Sequence, residues 1–368
     1  MQIAQINSTM PAWAFHDKEQ PMDYRQLGRT DLHVSALCLG TMTWGEQNDA
    51  REAIAQIERA KAYGVNFIDT AEMYPVNPTS AETIGRTEEI IGTWFARKGR
   101  RDDVILATKH SGEGQKMVRD GAPISSKTIP ETVEGSLRRL QTDYIDLYQF
   151  HWPNRGSYMF RKNWTFDPSG QDRAETVAHM EDALEALQKQ VEKGNIRHFG
   201  LSNESAWGTS QWLRISEDRG LPRVASMQNE YSLMCRLYDT DMAEMSVNED
   251  VGLLAFSPLA QGLLTGKYRG GRKPEGSRIE VNPTLGGRVL DRAYDAVEAY
   301  VAVAEKHGLD PTQMALAWCN TRPFMCSVIF GCTTQEQLMT AIGSDAVTLS
   351  DEVLADIDKA HRAHPMPF

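Results

Sequence analysis

No Gly-x-Gly-x-x-Gly follows an apolar run in this sequence, so the fingerprint of a Rossmann dehydrogenase is missing. No stretch approaches the roughly 18 apolar residues that a membrane span requires. The first residues, Met1-Gln2-Ile3-Ala4-Gln5-Ile6-Asn7, lack the basic-then-apolar order of an export signal. A cytoplasmic protein with no membrane partner is expected. Cysteine is scarce: five residues, an odd number without a Cys-x-x-Cys pair, fit neither a disulfide framework nor a zinc knuckle. No histidine or carboxylate cluster has metal spacing, so no metal is expected. Positive charge is in deficit. Lys and Arg total 39 against 50 Asp and Glu, and a net charge of −11 repels nucleic acid and anionic lipid alike. Two further motifs fail on inspection. Gly262-Leu263-Leu264-Thr265-Gly266-Lys267-Tyr268 has three residues between its glycines where a phosphate loop needs four. Gly200-Leu201-Ser202-Asn203-Glu204 lacks the final glycine of a nucleophile elbow.

What the sequence does contain is alternation. Short apolar or β-branched runs at 36–40, 66–69, 104–108, 144–150, 196–201, 224–227, 252–256 and 327–331 read as eight strands. Amphipathic segments such as 50–63, 130–141, 176–193 and 292–307 lie between them, several closed by glycine. Eight strand-helix units without a break in composition predict a single α/β domain over 1–368, a (β/α)8 TIM barrel. Residues 24–35 form two alternating stretches about Gly28 and predict a hairpin capping the barrel bottom, preceded by an extension over 1–22. Three connections, 110–129, 151–171 and 267–291, exceed the usual loop length and follow strands, so they should crowd the catalytic face.

Chemistry in such a barrel belongs to the C-terminal ends of its strands. The second strand runs into Asp69 and Tyr74, the third into Lys109, the fourth into His151. A buried carboxylate beside a buried ammonium makes an ion pair, because either charge alone would be heavily penalised. A cation beside a phenol favours phenolate and brings the proton nearer to working pH. A phenol so placed can donate a proton to an oxygen becoming an alkoxide, while the histidine orients the carbonyl. Taken singly, each residue has a plainer role: Asp69 a turn cap, Lys109 a solvated charge, Tyr74 a packed ring, His151 a core imidazole. Four at adjacent strand ends favour carbonyl reduction.

These residues lie in long motifs: Leu37-Cys38-Leu39-Gly40-Thr41-Met42-Thr43-Trp44-Gly45, Ile68-Asp69-Thr70-Ala71-Glu72-Met73-Tyr74-Pro75, and Tyr144-Ile145-Asp146-Leu147-Tyr148-Gln149-Phe150-His151-Trp152-Pro153. With Phe199-Gly200-Leu201-Ser202-Asn203 and Leu263-Leu264-Thr265-Gly266-Lys267-Tyr268, the sequence resembles the aldo-keto reductases from about Tyr24 onward, and within them the bacterial Tas-type members. The resemblance implies a nicotinamide cofactor held without a Rossmann unit and an Asp-Tyr-Lys-His tetrad at Asp69, Tyr74, Lys109 and His151. It carries cofactor contacts to Gly40, Thr41, Met42, Gln47, Asp69, Ser202, Asn203 and Gln228, then to Phe256, Ser257, Pro258, Leu259, Ala260, Gln261 and Lys267. Ser202, Asn203 and Gln228 are of the right type to bond a carboxamide. Tyr231 is expected to stack beneath the nicotinamide, and Lys267 and Arg278 to hold phosphates. NADPH is the implied cofactor. After the last strand, however, Gly331, Thr333 and Gln337 sit in a stretch without a basic residue, so NADH stays open. Trp44, Trp152 and Trp164, with Tyr158, Phe160 and Phe166, should wall an apolar aldehyde or ketone pocket. A second reading is a nicotinamide-binding, redox-sensing auxiliary protein with little turnover. Neither the physiological substrate nor the oligomeric state is legible.

Overall fold

The computed structural model describes residues 22–99 and 101–368; most of the 1–22 extension lies outside them. Strands β3 (Leu37–Gly40), β4 (Phe67–Asp69), β5 (Ile105–His110), β6 (Ile145–Phe150), β7 (Ile196–Ser202), β8 (Val224–Glu230), β9 (Gly252–Phe256) and β10 (Met325–Phe330) close into a parallel barrel in chain order, β10 pairing with β3. All eight expected strands form, most with their ends moved by one to three residues.

Helices α1 (Ala50–Ala62), α2 (Arg86–Lys98), α3 (Thr128–Leu140), α4 (Arg173–Glu192), α5 (Ala206–Arg219) and α6 (Asp241–Glu249) each connect successive strands. A short α7 (Arg278–Val281) and the longer α8 (Asp291–Lys306) and α9 (Pro311–Asn320) lie between β9 and β10, with α10 (Gln335–Gly343) and α11 (Asp351–Ala363) following. Their starts are chemically marked. Asp49 and Glu52 form a reciprocal capping box on α1, and Asp310 caps α9 ahead of Pro311.

The predicted hairpin is present as β1 (Tyr24–Gln26) and β2 (His33–Ser35), paired antiparallel. Its Leu27, Leu32 and Val34 join Cys38, Phe67, Ala107, Leu147 and Leu254 in one buried cluster, so the hairpin plugs the barrel floor with apolar side chains. Gly28 lies against that floor with φ +55, and a Cβ there would stand 2.3 Å from the Ala225 carbonyl oxygen. The five cysteines are unpaired; Cys38, Cys319, Cys326 and Cys332 are buried and Cys235 partly so. Among the described residues no helix is long and apolar enough to cross a membrane. The three long connections follow β5, β6 and β9 and therefore gather at one end of the barrel.

Candidate active site

The strand period of two sets the interior of the barrel in layers. Above the apolar floor, β4 presents Asp69, β5 Lys109, β6 Gln149 and β8 Gln228, all buried. Lys109 Nζ donates to Asp69 Oδ2 at 2.6 Å and to the Thr70 carbonyl at 2.7 Å. The same ammonium stands 5.0 Å from the centre of the Tyr74 ring. His151 meets that ring edge-on, 5.9 Å between centroids. The four residues expected at adjacent strand ends therefore converge at the mouth.

Their protonation follows from burial and neighbours. Burial works against the Lys109 ammonium, but Asp69 and Tyr74 outweigh it and hold its pKa above that of an ordinary lysine. The Tyr74 phenol shows the reverse balance to the one expected. Burial raises its pKa, Lys109 pulls it back, and the net position is above an ordinary tyrosine. Burial first, then Lys109, pushes His151 well below the usual imidazole value, so it is neutral. Its Nδ1 is buried without a hydrogen-bond partner.

Around this centre lie candidate ligand-holding groups. Ser202 Oγ donates to the Gln228 carbonyl at 2.7 Å, and Asn203 Nδ2 donates to the His151 carbonyl at 2.8 Å and to Ser202 Oγ at 3.1 Å. Asn203 Oδ1 is buried and unpartnered, an acceptor awaiting a donor. Lys267 and Arg278 lie on the connection after β9, and neither forms an ion pair with a carboxylate among the described residues. Burial lowers the pKa of both, and Arg278 adds to the effect on Lys267. Two partly buried cations without a counter-charge make a site that an anion would stabilise.

The profile of the Aldo/keto reductase family matches residues 36–362. The chain belongs to the aldo/keto reductase family. It is thereby a nicotinamide-dependent oxidoreductase built on the (β/α)8 barrel. The reductase is 44% identical to "Protein tas" of Escherichia coli over 352 residues, covering 94% of this chain and 99% of the relative. It is 32% identical to "Uncharacterized oxidoreductase YrpG" of Bacillus subtilis, covering 90% of this chain and 94% of the relative. It is 30% identical to a "Probable voltage-gated potassium channel subunit beta" of Arabidopsis thaliana, covering 91% and 95%.

Other expected residues of the reductase distribute unevenly. Thr41 Oγ1 donates to the Asp69 carbonyl at 2.9 Å, tying the ends of β3 and β4, while Gly40, Met42 and Gln47 are partly exposed beside them. At the end of β9, Phe256, Ser257, Leu259 and Gln261 are partly exposed and Pro258 and Ala260 buried, with positive φ at Ser257, Ala260 and Gln261 turning the chain across the mouth. Gly331 is exposed next to Thr333, whose N–H and hydroxyl both donate to Gln337 Oε1.

Two expectations require correction. Trp44 is fully buried, its indole N–H on Gln56 Oε1 at 2.8 Å, and presents no surface to a substrate. Tyr231 is also fully buried, stacked on Trp318 at 5.4 Å with its hydroxyl on Asp239, so it offers no face to a nicotinamide. Trp164 is 51% exposed, with the Arg292 guanidinium 4.9 Å over its ring. Trp152 does stand beside His151, 5.0 Å ring to ring, its N–H on the Glu113 carbonyl. It shares an apolar cluster with Tyr74, Val76 and Val118. The two valines and Gln149 escaped the sequence reading. Only Gln149 had a signal, the period-two spacing that places it below His151.

Proposed function

We propose that the protein reduces an aldehyde or ketone to the alcohol with NADPH, Tyr74 acting as general acid. The observation that carries this is the position of Lys109, paired to Asp69 on one side and set against the Tyr74 ring on the other. A carbonyl oxygen held by the phenol and by neutral His151 would take its proton from Tyr74 as negative charge develops. Lys109 then stabilises the phenolate left behind, and Asp69 keeps that ammonium in place. Trp152, Val76 and Val118 exclude water from one side of the carbonyl. The reduced nicotinamide, when bound, supplies the hydride. Asn203, Ser202 and Gln228 would hold its carboxamide, and Lys267 and Arg278 its phosphates. Thr333 and Gln337 would serve the 2′-phosphate end through hydrogen bonds in place of charge.

The test is NADPH consumption with a panel of aldehydes and ketones. Tyr74→Phe is expected to lose turnover by orders of magnitude while binding NADPH as tightly as the parent. Unchanged turnover in that variant, or none in the parent with any carbonyl, sinks the reading. The likeness to a channel β subunit favours a second reading, a cofactor-binding auxiliary protein in the same cell compartment, the cytoplasm. Tight NADPH binding, negligible steady-state turnover and co-purification with a larger partner would select it.

A further inference from the structure

We propose that Gln149 is a positioning residue that, together with Asp69, holds the Gln228 amide nitrogen-inward and takes up its second N–H, leaving Gln228 a hydrogen-bond acceptor only toward the cofactor. The inference deepens the nicotinamide reading above and rests on it.

Gln149 is fully buried in β6, two residues before His151, which follows the end of that strand directly. Its Nε2 donates to Asp69 Oδ1 at 3.1 Å. Gln228 Nε2 donates to that same oxygen at 2.8 Å and to Gln149 Oε1 at 3.1 Å. Charge decides the orientation of both amides, since an amide oxygen turned toward the Asp69 carboxylate would set two acceptors against each other. Once Gln149 has given its nitrogen to Asp69, its oxygen is left to receive the second N–H of Gln228.

Both amide hydrogens of Gln228 are thus spent inside the protein. The neighbouring Asn203 is in the same condition, with its Nδ2 on the His151 carbonyl and Ser202 Oγ and its Oδ1 buried and unpartnered. The wall presents two acceptors, Gln228 Oε1 and Asn203 Oδ1, and no free amide donor. The ring substituent that fits such a wall is one with N–H donors, a primary carboxamide. An acetyl group, which keeps the carbonyl and loses the NH2, leaves those acceptors facing each other across a dry gap.

The test is isothermal titration of the protein with NADP+ and with its 3-acetylpyridine analogue. The parent is expected to prefer NADP+ by about tenfold or more, the worth of a neutral hydrogen bond. Gln149→Leu removes one of the two acceptors that hold the Gln228 nitrogen inward, so the amide can turn an N–H to the acetyl oxygen, and the preference should collapse to within about threefold. Gln149→Glu supplies a control that keeps the shape. With its carboxyl protonated it reproduces both contacts and retains the preference near about pH 5.5; ionised beside Asp69 near about pH 8.5, it loses it. A preference that stays constant in both variants and across pH overturns the inference, as does a parent that binds the two dinucleotides equally. A parent that binds neither overturns the nicotinamide reading instead.

Discussion

Lys109 carries two duties, and a single substitution removes both. It is fully buried, and its removal leaves the Asp69 carboxylate, among the described residues, with the Gln149 and Gln228 amides. Breaking a buried pair in this way costs about 3–5 kcal/mol, and Lys109→Met should lower the melting temperature visibly in a thermal scan. The same change removes the only cation pulling the phenol proton down toward working pH from the tetrad itself. Reduction needs Tyr74 protonated, so its rate falls as pH rises through the phenol pKa. In the parent that limb lies above the ordinary tyrosine range because burial already raises the pKa. In Lys109→Met it should move to still higher pH while kcat drops by orders of magnitude. An unmoved limb would remove Tyr74 as the acid. His151 contributes the opposite signature. Held neutral by burial, it should leave kcat flat between about pH 6 and 8, where an ordinary histidine would titrate.

The connection after β6 is strapped to the end of β7 by more than chain continuity. Arg155 forks onto Glu204 with one bond of 2.8 Å and a second, shorter one. Ser157 Oγ donates to the Asn203 carbonyl at 2.7 Å. Because Asn203 in turn holds the His151 carbonyl, the strap and the proposed carbonyl-orienting group share one residue. Arg155→Met is expected to speed amide hydrogen exchange across 151–172 and to raise KM for the carbonyl several-fold more than it lowers kcat. Equal exchange in variant and parent would mean the strap is decorative. Contacts of this order were beyond the sequence. The strands and the four mouth residues were legible because period-two alternation and strand-end position are written locally. Arg155 meeting Glu204 across 49 residues depends on how loops fold back, and nothing local encodes it. Burial explains the misplaced aromatics too. Trp44 and Tyr231 belong to apolar neighbourhoods whose side of the barrel wall a linear pattern does not reveal.

At the scale of the molecule, the −11 charge and the two unpaired cations at the mouth pull in opposite directions. A polyanionic cofactor is repelled by the whole and attracted by Lys267 and Arg278, within a Debye length of about 8–10 Å at ordinary ionic strength. Screening reaches the distant acidic surface more than the close, half-buried contacts. Moderate salt should therefore leave NADPH binding in the parent nearly unchanged, the loss of attraction being offset by the loss of repulsion. In Lys267→Met the affinity is expected to fall by about tenfold or more at low salt, the worth of one charge-assisted contact, and then to improve as salt is added. Calorimetric titrations at two ionic strengths read both slopes, and parallel slopes would place the phosphates elsewhere.

Burial of the thiols has its own consequence. A thiolate, not a thiol, reacts with peroxide or with another disulfide, and desolvation holds Cys326 and Cys332 at about 12, with Cys38, Cys235 and Cys319 also displaced upward. The cysteine thiols are thereby held back from thiolate chemistry. A burst of oxidant that disables cysteine-dependent enzymes is expected to leave the buried thiols of this barrel reduced, as a thiol titration before and after peroxide would read.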